Sequence, residues 1–279
     1  MSTIERLVPA ARRWLLRSTL ALSGPLLIAC PPSADVKGAG AGFSVDALPT
    51  DSAALLRIAD EQDAASAPRN SLAALERAQK SQADWAAGAG AYDLQWRMAR
   101  AYAALSEPDG DGRATTVPAG QQAAKRAIEL SGDRVEGHYY LAQLNGFAAL
   151  LQKGETRPMV QGFVTEAEAA IKADEKFDFG GPLRILGVLY ARAPKEPVSV
   201  GDPEKAVGYM KRAVAAAADY PPNQFFLAEA YVADERYGEA ESALSTARKL
   251  LADPKWEARR ASWRDLLSRI ERKLKAKQN

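Results

Sequence analysis

The sequence predicts an all-α protein: a solenoid of four to five helix pairs closed by a C-terminal capping helix. Three observations lead there. From Asp51 onward alanine, leucine, glutamate and arginine dominate, and these are good helix formers. Apolar residues recur at spacings of three and four, and no stretch sustains the alternation of a strand. A short apolar–small pair also returns along the chain at a nearly constant interval.

The first element is a targeting segment, residues 1–29. Arg6, Arg12, Arg13 and Arg17 form a positive start, and Ser18 to Ala29 is an apolar run of about a dozen residues, shorter than the roughly 20 that a membrane span needs. It ends in Leu27-Ile28-Ala29-Cys30, which resembles the bacterial lipobox. In that motif small residues admit a peptidase and the cysteine thiol accepts lipid. Cys30 is the sole cysteine, so no disulfide and no cysteine-based metal site follows. Residues 30–50 read as a lipidated tether, because Pro31-Pro32-Ser33 and Gly38-Ala39-Gly40-Ala41-Gly42 bury too little surface to fold. Loss of residues 1–29 removes four arginines and one glutamate and turns a net charge of +2 into about −1. A near-neutral chain does not call for nucleic acid. The expected location is the cell envelope, anchored through Cys30 and facing the periplasm. Pro31, in place of an aspartate after the cysteine, favours the outer membrane over the inner.

The folded part, 51–279, carries the repeats. Leu227-Ala228-x-x-Tyr231 is followed by Tyr237, Ala240, Leu244 and Ala247. This spacing resembles a tetratricopeptide repeat, in which two antiparallel helices touch through small residues and large ones fill the gap to the next pair. Earlier copies are Leu186-Gly187-x-x-Tyr190 with Ala206, Met210 and Ala213; Leu141-Ala142 with Ala167 and Ala170; and Met98-Ala99-x-x-Tyr102 with Ala124 and Ala127. A degenerate copy, Ile58-Ala59 with Leu75 and Ala78, opens the array. The leading positions 58, 98, 141, 186 and 227 lie 40 to 45 apart, against a usual period of about 34. Insertions are therefore expected near 106–118, 150–160 and 191–202.

The cap is expected over Asp253 to Lys277, with Asp253 as N-cap and Pro254 in the first turn. Trp256, Trp263, Leu266, Leu267, Ile270 and Leu274 form one stripe, and lysines and arginines cover the remainder. A terminal repeat needs such a face.

Chemistry is sparse. His138 is the single histidine, a packing or surface residue rather than a metal ligand or base, since metal sites need several ligands at set spacing. Gly38 to Gly42 lacks the Lys-Ser/Thr ending of a phosphate loop. Asp174, Glu175 and Asp178 lack the calcium-loop pattern and are expected in solvent. The chain is thus expected to have no enzymatic activity, no cofactor and no metal. Stacked repeats instead form a concave binding surface. The residues two before and two after each leading apolar position should line it: Trp96 and Arg100, Tyr139 and Gln143, Arg184 and Val188, Phe225 and Glu229. Aromatics and arginine are common binding anchors.

One segment carries a narrower resemblance. Gly180-Gly181-Pro182-Leu183-Arg184-Ile185-Leu186-Gly187 runs to Pro197-Val198-Ser199-Val200-Gly201-Asp202-Pro203, and Asn223 to Tyr231 reads Asn-Gln-Phe-Phe-Leu-Ala-Glu-Ala-Tyr. With Leu94 to Tyr102 and Glu136 to Tyr140 upstream, these stretches resemble the T component associated with tripartite ATP-independent periplasmic (TRAP) transporters. That resemblance implies a helical-repeat lipoprotein with an apolar cleft for a hydrophobic small ligand. It further implies partnership with a periplasmic substrate-binding protein, and a homotrimer. The other reading of the same features is a repeat scaffold for assembly of envelope or outer-membrane proteins.

Overall fold

The structure, a computed structural model, describes residues 43–81, 89–107, 112–152 and 156–278. The targeting segment, Cys30 and most of the tether fall outside these residues. After a 3-10 turn at Val45–Ala47 the described chain is helical: α1 Ser52–Ala64, α2 Pro68–Ser81, α3 Ala89–Ser106, α4 Arg113–Leu130, α5 Val135–Leu151, α6 Arg157–Asp174, α7 Phe177–Arg192, α8 Pro203–Ala216, α9 Pro221–Ala233, α10 Tyr237–Leu251 and α11 Arg260–Gln278. Five antiparallel pairs stack in chain order and α11 packs on the last pair, against both α9 and α10. The all-α repeat fold with a terminal helix is the expected one, and the degenerate first copy is a genuine pair, α1 with α2.

The seams explain the stack. Ala59, Ala99, Ala124, Ala142, Ala167, Ala206, Ala228, Ala240 and Ala247 are wholly buried, as the repeat spacing requires. A Cβ on Gly120 would lie 2.8 Å from Leu144 Cδ2 and 2.8 Å from Tyr102 Cβ, so only glycine lets α4 sit this close to α3 and α5. Starts are set locally. Asp51 accepts from the Ala54 N–H at 2.7 Å, and Asp202 accepts from the Lys205 N–H at 3.1 Å with Pro203 in the first turn. These caps satisfy N–H groups that have no partner inside the helix.

Two expectations change. The extra residues of the long repeats lie largely in the helices: α3, α4 and α6 have 18 residues each and α5 has 17. The chain turns helical again at Arg113, and Pro118 sits inside α4, so the insertion expected over 106–118 is confined to its first half. The stretch 193–202 is a true loop, with Gly201 N–H donating to the Pro194 carbonyl at 2.8 Å. The cap also begins differently. Asp253 does cap, accepting from Lys255 N–H at 3.0 Å, but Pro254–Arg259 is 3-10 and the α-helix starts at Arg260. Arg260 Nε donates to the Leu251 carbonyl at 3.0 Å, tying the cap to the end of α10. Trp263, Leu266, Leu267, Ile270 and Leu274 are buried, so the apolar stripe of α11 is spent on the solenoid.

Candidate functional site

In each pair the first helix (α1, α3, α5, α7, α9) faces inward, and α11 continues the series. Of the eight residues expected to line an open groove, Tyr139, Gln143, Arg184, Val188, Phe225 and Glu229 are buried, while Trp96 and Arg100 are half-buried. Most of these inward positions are thus shielded from solvent in this structure. Aromatic rings pack along them: Trp96 stacks parallel to Tyr140 with centroids 6.4 Å apart, and Phe177 meets Tyr139 and Tyr140 edge-on. The 3-10 segment before α11 covers the far end, where Trp256 packs on Tyr220, Phe179 and Trp263.

The polar residues fall into three clusters. In the first, Asp60 on α1 accepts from Arg97 Nε at 3.0 Å and Arg100 Nη2 at 2.7 Å, and the two guanidiniums lie 4.3 and 5.0 Å from the Trp96 ring. Burial tends to raise the Asp60 carboxyl, but the two arginines reverse this and hold it below its ordinary value. Neighbouring Asp63 is pushed up by burial, with Arg100 only partly offsetting it.

The second cluster surrounds a left-handed turn. Asp178, Phe179 and Gly180 have φ of 48, 56 and 79°, so the regular part of α7 begins only after them. Left-handed backbone costs an ordinary residue about 1–2 kcal/mol. Arg184, 1% exposed, holds the turn: it donates to the Asp178 and Phe179 carbonyls at 3.2 Å, to Asp178 Oδ2 at 2.8 Å and to Asn223 Oδ1 at 3.1 Å. Asn223 Nδ2 donates to the Phe179 and Ala213 carbonyls at 2.9 Å. The Tyr139 hydroxyl donates to Asp178 Oδ2 at 2.7 Å. Asp178 is therefore an organising residue and not the solvated acid expected. The turn leaves Phe179 46% exposed, stacked on Tyr220 at 4.5 Å.

The third cluster ties the cap. Glu229 on α9 accepts from Arg192 Nη2 on α7 at 2.7 Å and from Lys273 Nζ on α11 at 3.1 Å. Burial would raise its carboxyl, but the two cations outweigh it and hold Glu229 at about 2.

Sequence reasoning missed Asp60, Asp178, Arg192, Asn223 and Lys273. A signal for them exists. The pairs Arg97–Asp60, Tyr139–Asp178, Arg184–Asn223 and Arg192–Glu229 are separated by 37 to 39 residues, about one repeat. Complementary polar groups one repeat apart on inward helices meet across the stack. His138 is not on this face. Its Nδ1 lies 2.6 Å from Glu166 Oε2 and its Nε2 3.0 Å from the Gly132 carbonyl, which joins α5 to α6. Among the described residues no group of three or more histidine, cysteine or acidic side chains is placed to hold a metal ion, and no helix is long and apolar enough to cross a membrane.

Five stacked helix pairs, alanine seams and an inward face linked at one-repeat spacing define a tetratricopeptide-like helical-repeat protein, a class whose stacked surface takes up other proteins. Residues 198–262 match the family model described as tetratricopeptide repeat. The chain is similar to TTC0263, a thermophilic tetratricopeptide-repeat protein of Thermus thermophilus. That match has 17% identity and a TM-score of 0.61, over 80% of this chain and 99% of that one. The tetratricopeptide domain of P58(IPK) aligns at 15% identity and a TM-score of 0.31, over 82% of this chain and 58% of that one. No curated protein matches the sequence.

Proposed function

We propose that this is a non-enzymatic lipoprotein, held at the periplasmic side of a membrane through Cys30, that docks a periplasmic substrate-binding protein and assists TRAP-type solute uptake. The observation that carries this reading is where the family resemblance falls. Its most specific stretch, Gly180 to Pro203, contains Arg184 and Gly181, and Asn223 opens the next quoted stretch. Arg184 and Asn223 build the turn that displays Phe179, and a Cβ on Gly181 would lie 2.7 Å from the Tyr139 hydroxyl. A turn this constrained, with a large apolar side chain turned outward, suits a docking point, because backbone strain concentrates at functional sites.

The test is co-purification from detergent-solubilised membranes. The expected result is a periplasmic substrate-binding protein retained with the full-length chain and lost with Phe179→Asp. Retention of outer-membrane assembly proteins in its place would sink the transport reading. Anchoring is tested apart from docking: Cys30→Ser should abolish metabolic labelling with an alkyne fatty acid and move the protein to the soluble fraction.

A further inference from the structure

Helix α11 is where the positive charge of this chain collects. Its 19 residues carry seven cations and only two acids, Asp265 and Glu271, a net +5. The chain from Cys30 onward is about −1, so everything else in it sums to about −6. Ion pairing does not remove the surplus. Lys273 and Arg192 share Glu229, Arg260 pairs with Glu257, and Glu271 pairs with Arg248. Those partners add two cations and two acids, so the net charge stays at +5. The negative ends of α10, which Arg260 meets, and of α11 itself take back about half a charge each. The crowding is felt by Arg269, lowered first by its own burial and further by Arg192 and Arg272.

The unpaired part of this charge lies on one side. Trp263, Leu266, Leu267, Ile270 and Leu274 face the solenoid. Arg264, Arg272 and Lys275 stand on the opposite side of the helix, exposed and without an ion pair among the described residues. At 1.5 Å per residue they form a row about 16 Å long. Glu271 is taken by Arg248, which leaves Asp265 as the single acid beside the row.

We infer that this face rests on the anionic headgroups of a lipid bilayer and so fixes which way the solenoid lies on it. The inference rests on the membrane-anchored reading of Cys30. The row stands on the outside of a helix and not in a cleft, which suits an extended charged surface better than a small anion. Cys30 and Phe43 are 13 residues apart, at most about 45 Å of chain however it is arranged. A face kept within that distance of a bilayer meets it at an effective concentration in the millimolar range. Each cation near an anionic surface gains about fivefold in partitioning, so three gain on the order of 100-fold. That is weak for a free protein and ample to orient a tethered one. The remainder of the chain, at about −6, is turned away by the same surface.

The sole cysteine makes the test direct, because lipid on Cys30 leaves an introduced thiol as the single labelling site. Ser268→Cys places a spin label within the row. The detergent-extracted lipoprotein is reconstituted into nanodiscs of phosphatidylcholine, or with a third of it replaced by phosphatidylglycerol. Both carry a trace of nickel-chelating lipid, which relaxes a nearby spin. Relaxation should be at least fivefold greater on the anionic discs and vanish in roughly molar salt, where screening acts within about 3 Å. It should be lost in the triple variant Arg264→Gln, Arg272→Gln, Lys275→Gln, with an unchanged urea midpoint. Equal relaxation on both discs, none on either, or a triple variant that behaves like the parent would each overturn the assignment. Immobilisation of the label by a co-purified protein, with no relaxation by lipid, would give the face to an acidic partner instead. Failure of the anchor reads out differently: Cys30 would take up a second label, and the assignment would fall with it.

Discussion

Glu229 and Arg192 stand 37 residues apart and meet at 2.7 Å, with the carboxylate 5% exposed and Lys273 of the cap on its other oxygen. One acid thus holds α7, α9 and α11 together. Glu229→Gln strands two cations, and breaking a buried pair from one side costs about 3–5 kcal/mol. The variant should lose stability of that order in urea unfolding, with α11 exchanging its amides first. The sign with pH follows from a folded value of about 2 against an ordinary 4.5. The stabilisation is present above pH 4.5 and drains away as pH falls towards 2, so the parent should lose stability over that window and Glu229→Gln should lose less of it there.

The helix pairs and their alanine seams were legible because period and residue size act locally: Ala99, Ala142 and Ala228 must be small wherever two helices touch. The burial of the inner face was not. Tyr139 and Phe225 stand at positions that face inward, but whether an inward position meets solvent depends on how tightly the whole stack winds and on where Pro254–Arg259 comes to lie. Neither is encoded within one repeat. The turn at Asp178 was equally hidden, since a phenylalanine disfavours left-handed backbone and the turn is held by Arg184 further along α7 together with Tyr139 and Asn223 from neighbouring repeats.

His138 adds a pH dependence of opposite sign. Its hydrogen bond to Glu166 raises its pKa above 6.5, burial opposes this, and the Gly132 carbonyl on the other nitrogen adds to the rise. Both acceptors want the imidazolium. The stabilisation is complete below an unfolded pKa of about 6.5 and is lost as pH rises through the raised folded value. Urea midpoints should therefore fall from pH 6 to pH 9. His138→Gln should flatten that fall, and a variant that keeps the full slope would assign it to another group.

Glu235 offers a stabilising change. It sits at φ 59° just past α9, where the Arg236 N–H donates to the Tyr231 carbonyl at 2.9 Å and closes a left-handed helix stop. Glycine relieves about 1–2 kcal/mol of backbone strain there and gives back about 0.5–1 through unfolded-chain entropy. Glu235→Gly should raise the unfolding free energy by roughly 0.5–1 kcal/mol on the same balance. Asp234→Gly, at φ −91°, has no strain to relieve and should lower it.

Two glycines of the same stretch separate the cost of a rigid neighbour from that of a soft one. A Cβ on Gly187 would lie 2.6 Å from Met210 Sδ and 2.7 Å from its Cγ, atoms of a flexible side chain that can turn away. A Cβ on Gly201 would overlap the Ala193 carbonyl oxygen and lie 2.7 Å from the Pro194 carbonyl carbon, both backbone. Those atoms cannot move without breaking the neck bonds from Gly201 N–H to Pro194 and from Asp202 N–H to Tyr190. Overpacking typically costs about 1–3 kcal/mol. Gly187→Ala should fall at the low end and Gly201→Ala at or beyond the high end in urea unfolding. The reverse ranking would mean that the 193–202 loop gives way more readily than the Met210 side chain.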